Sequence, residues 1–322
     1  MPTTITHAFF AKDIYDILPE NIHTKVNLNR FKMLCQSTDS LLFYNLFSFF
    51  PGKKIRKFQG YFHTHKTQEF FINLLKYIRE NKIEDEDVYS FVIGFICHYV
   101  LDKNVHPYVV YRTGLVTKGK PSTYKYRNIH DIMEAYFDMD MVQRRLQMNP
   151  YHYRFTEYCF DTRPFSEPLK RTIYDVFYHT FGVKDMDQIY YKSLKQMKTA
   201  LGLFRMDRFG IKRFIYQLVD TFTPKGAFRF ESISYHLPLE DKHNFLNNHH
   251  STWRHPAIYD QTSTESFVDL YLKSMKEAKV IIRAAFDYLE GKDIDLTKVF
   301  ENTSYLSGLD CDDPRELKYF AF

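Results

Sequence analysis

Glycine and proline are scarce, 11 and 12 of 322 residues, which excludes a collagen-like chain and argues against a turn-dense β sandwich. No alternating apolar runs joined by Asn-Gly or Asp-Gly occur, so no hairpin is expected. The four cysteines, Cys35, Cys97, Cys159 and Cys311, stand far apart and form no C-x-x-C pair. That pattern suggests neither a zinc ribbon nor a disulfide framework, and it fits a reducing compartment. The longest apolar runs, Leu41–Phe50 and Val88–Leu101, fall short of the roughly 20 residues that a spanning helix needs. Met1–His7 has neither a basic nor an apolar leader character, so a cytoplasmic protein is expected. Charge is nearly balanced, 44 basic against 39 acidic side chains, for a net +5. The longest basic run, Lys53–Lys57, reads as a solvated turn, and nucleic acid is not the favoured partner.

What the chain does have is a 44% hydrophobic fraction and 18% aromatics, 31 of them Phe and 25 Tyr, which a packed core explains better than a stacking surface. Apolar residues recur at helical spacing in Thr67–Glu80. Asp85–Asp102 opens on acids and then turns almost wholly apolar, as a central buried helix should. Leu169–Phe181 and Asp187–Phe209 each precede a glycine suited to a C-cap, Gly182 and Gly210. Thr262 and Glu265 suggest a capping box before Phe267–Glu290. Thr113–Asn128 reads as a polar loop, and Ala227–Gln261 as irregular, with five histidines and the lone Trp253. A single all-α domain over residues 1–322 follows.

The chemistry lies in the histidines. His98 and Asp102 are four apart at the end of the apolar helix, and His130 and Glu134 repeat that spacing. Residues four apart share one helix face, about 6 Å apart along the axis, and can share one divalent ion. His106 stands between the pairs, before Pro107, which suits a chain leaving the helix. A carboxylate after an apolar stretch is costly unless it is paired or ligates a metal. Nitrogen and oxygen donors favour zinc.

Thr6-His7-Ala8, Thr38-Asp39-Ser40, Phe62-His63-Thr64, His98-x-x-x-Asp102, His106 and His130-x-x-x-Glu134 follow one another over residues 1–140. In that order they resemble the bacterial zinc-dependent phospholipase C family, which shares its all-α fold with zinc single-strand nucleases. The resemblance implies two to three zinc ions per chain, with all ligands within residues 1–134. His106, His130 and Glu134 would hold one ion, and Asp39, His63, His98 and Asp102 a second. Asp102 would bridge to a third, completed by His7. Asp39 would be the general base. Three features depart from the family pattern. No processed N-terminal tryptophan is present, so the amine of Met1 or Pro2 would have to substitute. Gln36-Ser37-Thr38 replaces the usual Gly and Pro before the aspartate. His65 competes with His63, which is favoured by its distance from Thr67-x-x-Phe70.

Several divalent ions in one cleft suit hydrolysis of a phosphate ester, because they neutralise the phosphate and acidify water. The expected substrate is a phosphodiester or phospholipid. An arginine or lysine of Arg112–Arg127 would add charge stabilisation, and the segment around Trp253 is either a structured loop or a wall of the cleft. Two alternatives stand beside this reading. An HD-type phosphohydrolase would use His130-Asp131 and leave Glu134 idle. A zinc-stabilised helical interaction protein would bind metal without hydrolysis.

Overall fold

The computed structural model describes residues 4–46, 51–116, 120–126, 128–223, 229–236 and 240–321. Helices dominate. The first half carries α1 (Thr4–Asp16), α2 (Glu20–His23), α3 (Leu28–Leu34), α4 (Lys53–Phe62), α5 (Thr67–Glu80), α6 (Glu86–Thr113) and α7 (Ile129–Leu146). The second half carries α8 (Phe155–Tyr158), α9 (Glu167–Phe181), α10 (Met186–Phe204), α11 (Ile211–Thr221), α12 (Phe267–Leu289) and α13 (Leu296–Val299). The aromatic residues fill the core, as expected. Phe62, Phe70, Phe95 and Phe177 from α4, α5, α6 and α9 pack at ring separations of 4.9 to 6.5 Å.

The axis of the fold is α6, packed against α1, α3, α7, α9 and α12. Being enclosed on most sides, it is apolar almost all round rather than along one stripe. Asp85 caps it by accepting the Val88 N–H at 3.0 Å. The helix does not end at Asp102. It continues through Pro107 to Thr113 and is closed by Gly114, whose N–H donates to Val110 O. A proline inside a helix leaves the carbonyl four residues back without its usual donor. Here the loop 303–310 crosses at that point. A Cβ on Gly308, at φ +68°, would stand 2.8 Å from Lys103 O and 3.1 Å from Pro107 Cγ. Only glycine permits so close a crossing.

Three other expectations change. Helix α10 stops at Phe204, and Gly210 opens α11 as its N-cap (φ 72°) instead of closing the preceding helix. The capping box of α12 is Ser266 with Asp269, not Thr262 with Glu265. Thr262 lies instead in a short antiparallel hairpin, β1 (Trp253–His255) and β2 (Ile258–Ser263). Its turn is Pro256-Ala257, with no Asn-Gly signal to announce it. His255 holds the turn: Nδ1 accepts the Ala257 N–H at 3.1 Å, and Nε2 donates to Ser307 O at 2.8 Å. Within the expected loop, Pro121–Tyr126 forms a 3-10 turn. Among the described residues no helix is long and apolar enough to cross a membrane. The four cysteines are free, three of them buried.

Candidate metal centre

Five elements bring the eight expected side chains together. Helix α1 supplies His7 and the 3-10 turn Ser37–Phe43 supplies Asp39. His63 is the C-cap residue of α4. His98, Asp102 and His106 rise along one face of α6, each four residues after the last, because the helix runs on through Pro107. His130 and Glu134 stand one turn apart on α7. The turn into Asp39 needs a left-handed residue, and Ser37 takes it at φ 45°. Glycine would adopt that conformation without strain.

The donor atoms fall into two groups, each within 4.8 Å: His7, Asp39, His98 and Asp102, and then His106, His130 and Glu134. Asp102 links them. Its Oδ1 lies 3.3 Å from His7 Nε2, and its Oδ2 lies 3.3 Å from His98 Nε2 and 3.5 Å from His106 Nδ1. Asp39 faces His63 Nε2 at 3.4 Å and His98 Nε2 at 3.5 Å. In the second group His130 Nε2 is 2.9 Å from Glu134 Oε1. His7 thus lies close to Asp39 and His98 as well as to Asp102, and His63 stands outside both groups, with its Nε2 3.4 Å from Asp39 Oδ1. The amine of Met1 or Pro2 lies outside the described residues.

The donor set fits zinc, which takes imidazole nitrogen and carboxylate oxygen. His98 Nδ1 and His106 Nδ1 lie 3.0 Å from the carbonyl oxygens of Cys35 and Tyr305. A carbonyl only accepts, so each Nδ1 carries a proton, and Nε2 is the nitrogen left to offer a lone pair inward once the ring is neutral. His63 Nε2, His98 Nε2 and Asp102 Oδ2 are buried without a hydrogen-bond partner. Such atoms are costly unless something binds them.

Electrostatics separates the imidazoles. Burial pulls His63 down to about 4, and burial with the neighbouring His98 also lowers His7, whose ring stacks on His98 at 4.4 Å. Burial opposes the charge on His106 too, but Asp102 and Glu134 outweigh it and lift that ring to about 9. Asp102 shows the reverse balance: burial raises its carboxyl, yet His106, His98 and His7 hold it well below the usual range.

His65 is at the surface, stacked on Tyr61 at 4.2 Å with Nδ1 2.8 Å from Thr64 Oγ1. His63→Ala is therefore expected to lower bound zinc, and His65→Ala to leave it unchanged, by elemental analysis of the purified variants. Asp131 lines the cleft but belongs to neither donor group; His63 is likewise outside them, but its Nε2 faces Asp39 Oδ1 at 3.4 Å.

The centre opens into a cleft of about 480 Å³, with Asp39, Gln59, His63, His106 and His130 in its lining. Leu115, Val116, Tyr126 and Leu306 give it an apolar side. Among the described residues no Arg or Lys lines it. Arg112 instead donates to His243 O. Trp253 is no wall of this cleft. It packs on Tyr108 at 5.2 Å, donates Nε1–H to Glu265 O, and borders a separate cavity with Lys103 and Asn104.

Sequence reasoning missed several supporting residues. Gln59 Nε2 is 2.6 Å from Asp39 Oδ1 and 3.2 Å from His63 Nδ1. Tyr305 stacks on His63 at 4.8 Å, donates its N–H to His63 O and accepts from His106 Nδ1. Nothing local marks these residues, since Tyr305 acts on His106 across 199 positions. Asp138, one turn beyond Glu134, accepts from the N–H groups of Ile5 and Thr6, from Thr6 Oγ1 and from Tyr235 Oη. It thereby fixes the start of α1 just before His7.

Burial pushes the Asp138 carboxyl up to about 6. An acid raised on folding stabilises the fold fully below its unfolded value, about 4, and that contribution is lost as pH climbs to about 6. Asp138→Asn removes this slope. Thermal melts between pH 4 and 7 should show the difference between variant and parent changing only over that window.

A mostly helical chain with one buried and one half-buried histidine–carboxylate group beside a cleft defines a candidate metal-dependent helical protein. The family model for zinc dependent phospholipase C matches residues 6–182, more than half of the chain, and the chain belongs to that family. No curated protein and no solved structure matches it.

Proposed function

We propose that the chain is a zinc-dependent phosphodiesterase of phospholipase C type, acting as one unit over residues 1–322. The observation that carries this reading is the set of buried, unpartnered ligand-type atoms on His63, His98 and Asp102, together with an open cleft that Asp39, His63, His106 and His130 line. His106, His130 and Glu134 would hold one zinc. Asp39, His63, His98 and Asp102 would hold a second, and His7 with Asp102 would take part in a third. Bound zinc supplies Lewis acidity that neutralises a phosphodiester and lowers the pKa of water. Asp39 lines the cleft and takes the proton from the attacking water, with Gln59 fixing its Oδ1. The apolar side formed by Leu115, Val116 and Leu306 suits the lipid part of a phospholipid better than a polyanion. The absence of cationic lining among the described residues points the same way. Free, buried cysteines fit a cytoplasmic setting.

A panel of a chromogenic phosphodiester and several phospholipids, assayed with and without chelator, tests the reading. Hydrolysis that chelator abolishes and zinc restores is expected. Asp39→Asn should lower the rate by roughly a hundredfold or more. A protein that purifies with zinc yet cleaves no member of the panel would overturn the reading in favour of a structural metal.

A further inference from the structure

Helix α11 is built inside out. Its polar face is the one docked on the body. Lys212 Nζ donates to Met206 O, Arg213 pairs with Glu231 and donates to His236 O, and Tyr216 Oη donates to Phe204 O. Asp220, buried on the same face, accepts from the N–H groups of Phe230 and Glu231 at 2.9 Å. The apolar residues Ile211, Phe214, Ile215, Leu218 and Val219 recur at helical spacing on the opposite face, and all are exposed. Phe209 and Phe222 flank the two ends. The three phenylalanines are 74%, 69% and 84% exposed at positions 209, 214 and 222. In an ordinary surface helix that stripe would face the core. So many large apolar side chains turned together to water mark an interaction surface, because scattered single residues would need no explanation.

We infer that α11 is an interfacial helix that seats the enzyme on a phospholipid bilayer, presenting the cleft to lipid. The inference rests on the phospholipase reading of the cleft. Charge supports it. Arg208 is exposed beside Phe209, its guanidinium 5.2 Å from that ring. An apolar stripe with a cation at its margin is what an anionic leaflet attracts. The outer face of the helix offers few hydrogen-bonding groups along the stripe, whereas a protein partner would expect a polar rim and paired polar atoms. The surface is also connected to the cleft. Arg229 donates Nη1–H to Asp220 O and its own N–H to Asn128 Oδ1, and Asn128 lines the cleft.

The test is co-sedimentation of the full-length, zinc-loaded protein with vesicles of phosphatidylcholine, with and without phosphatidylserine. Binding that strengthens with phosphatidylserine and weakens with salt is expected. Phe214→Asp and Phe222→Asp should each weaken it by roughly tenfold, as loss of one buried aromatic implies. Both variants should keep the melting temperature and the rate on a water-soluble diester. Absence of vesicle binding by the parent would overturn the inference. So would a parent dimer, seen in sedimentation velocity, that Phe214→Asp dissociates, since the stripe would then be covered by a second copy. Vesicle binding without hydrolysis of any diester would sustain this inference while sinking the catalytic reading.

Discussion

Replacing Asp102 with Asn is expected to strip more than one zinc from each chain, whereas Glu134→Gln removes only one. The reason is position. Among the described residues, Asp102 is the only side chain whose oxygens face imidazoles of both donor groups, His7 and His98 on one side and His106 on the other. Its charge also does more than any neighbour's to hold His98 and His106 protonatable in spite of burial. An amide supplies neither the negative charge nor a second ligating oxygen. Diester hydrolysis should fall by a hundredfold or more, as it does when one preorganised electrostatic group is removed from an active site. Metal content measured by inductively coupled plasma spectrometry decides the matter. Equal content in both variants and the parent would mean the ligand assignment is wrong.

Chelation should cost the fold heavily as well. Zinc that binds only the native chain stabilises it by mass action, about 4 kcal/mol when free metal exceeds the dissociation constant a thousandfold. For a chain of this size that corresponds to a melting temperature lowered by roughly 6 °C on metal removal. The effect has a sign with pH. His106 is held at about 9 without metal, so ligation there must release a proton. Zinc is therefore held less tightly as pH falls, by up to tenfold per unit at that position. His63, already pulled down to about 4, adds no such cost near neutrality. Scanning calorimetry with and without chelator at pH 6 and pH 8 measures both effects. A melting temperature indifferent to chelator at both values would rule out a folded metal centre.

The parts of this centre that sequence reveals are those encoded locally. His98 with Asp102, and His130 with Glu134, are legible because one helical turn brings each pair together wherever the helix sits. His106 is legible for the wrong local reason: it shares the face of Asp102 because α6 ignores the stop expected at Pro107. His7 and Asp39 became candidates only through the ordered family pattern, for their own neighbourhoods suggest a helix residue and a cap. His63 over His65 turns on how α4 ends, which spacing to the next helix favoured and packing under Phe62 explains. Tyr305 and Asp138 carry no signal at all, since they work through contacts distant in sequence, and Gln59, one turn before His63, is not a metal-ligand type. Packing also decides against simple rules elsewhere. Gly210 starts a helix that its position suggested it should stop, and the apolar stripe of α11, which periodicity alone would bury, faces outward.

The crossing of Gly308 over Pro107 bears on how the centre comes into being during synthesis. The helices carrying His7, His98 and His130 emerge from the ribosome long before Tyr305, which lies 199 residues after His106. Until that loop arrives, the His63 carbonyl lacks the Tyr305 amide that holds it, and the His106 ring lacks the Tyr305 carbonyl that orients it. Cations met by the nascent chain encounter unordered imidazoles, and firm capture belongs to the last stage of maturation. A truncation before residue 303 would accordingly yield a chain that keeps every expected ligand and still fails to retain zinc.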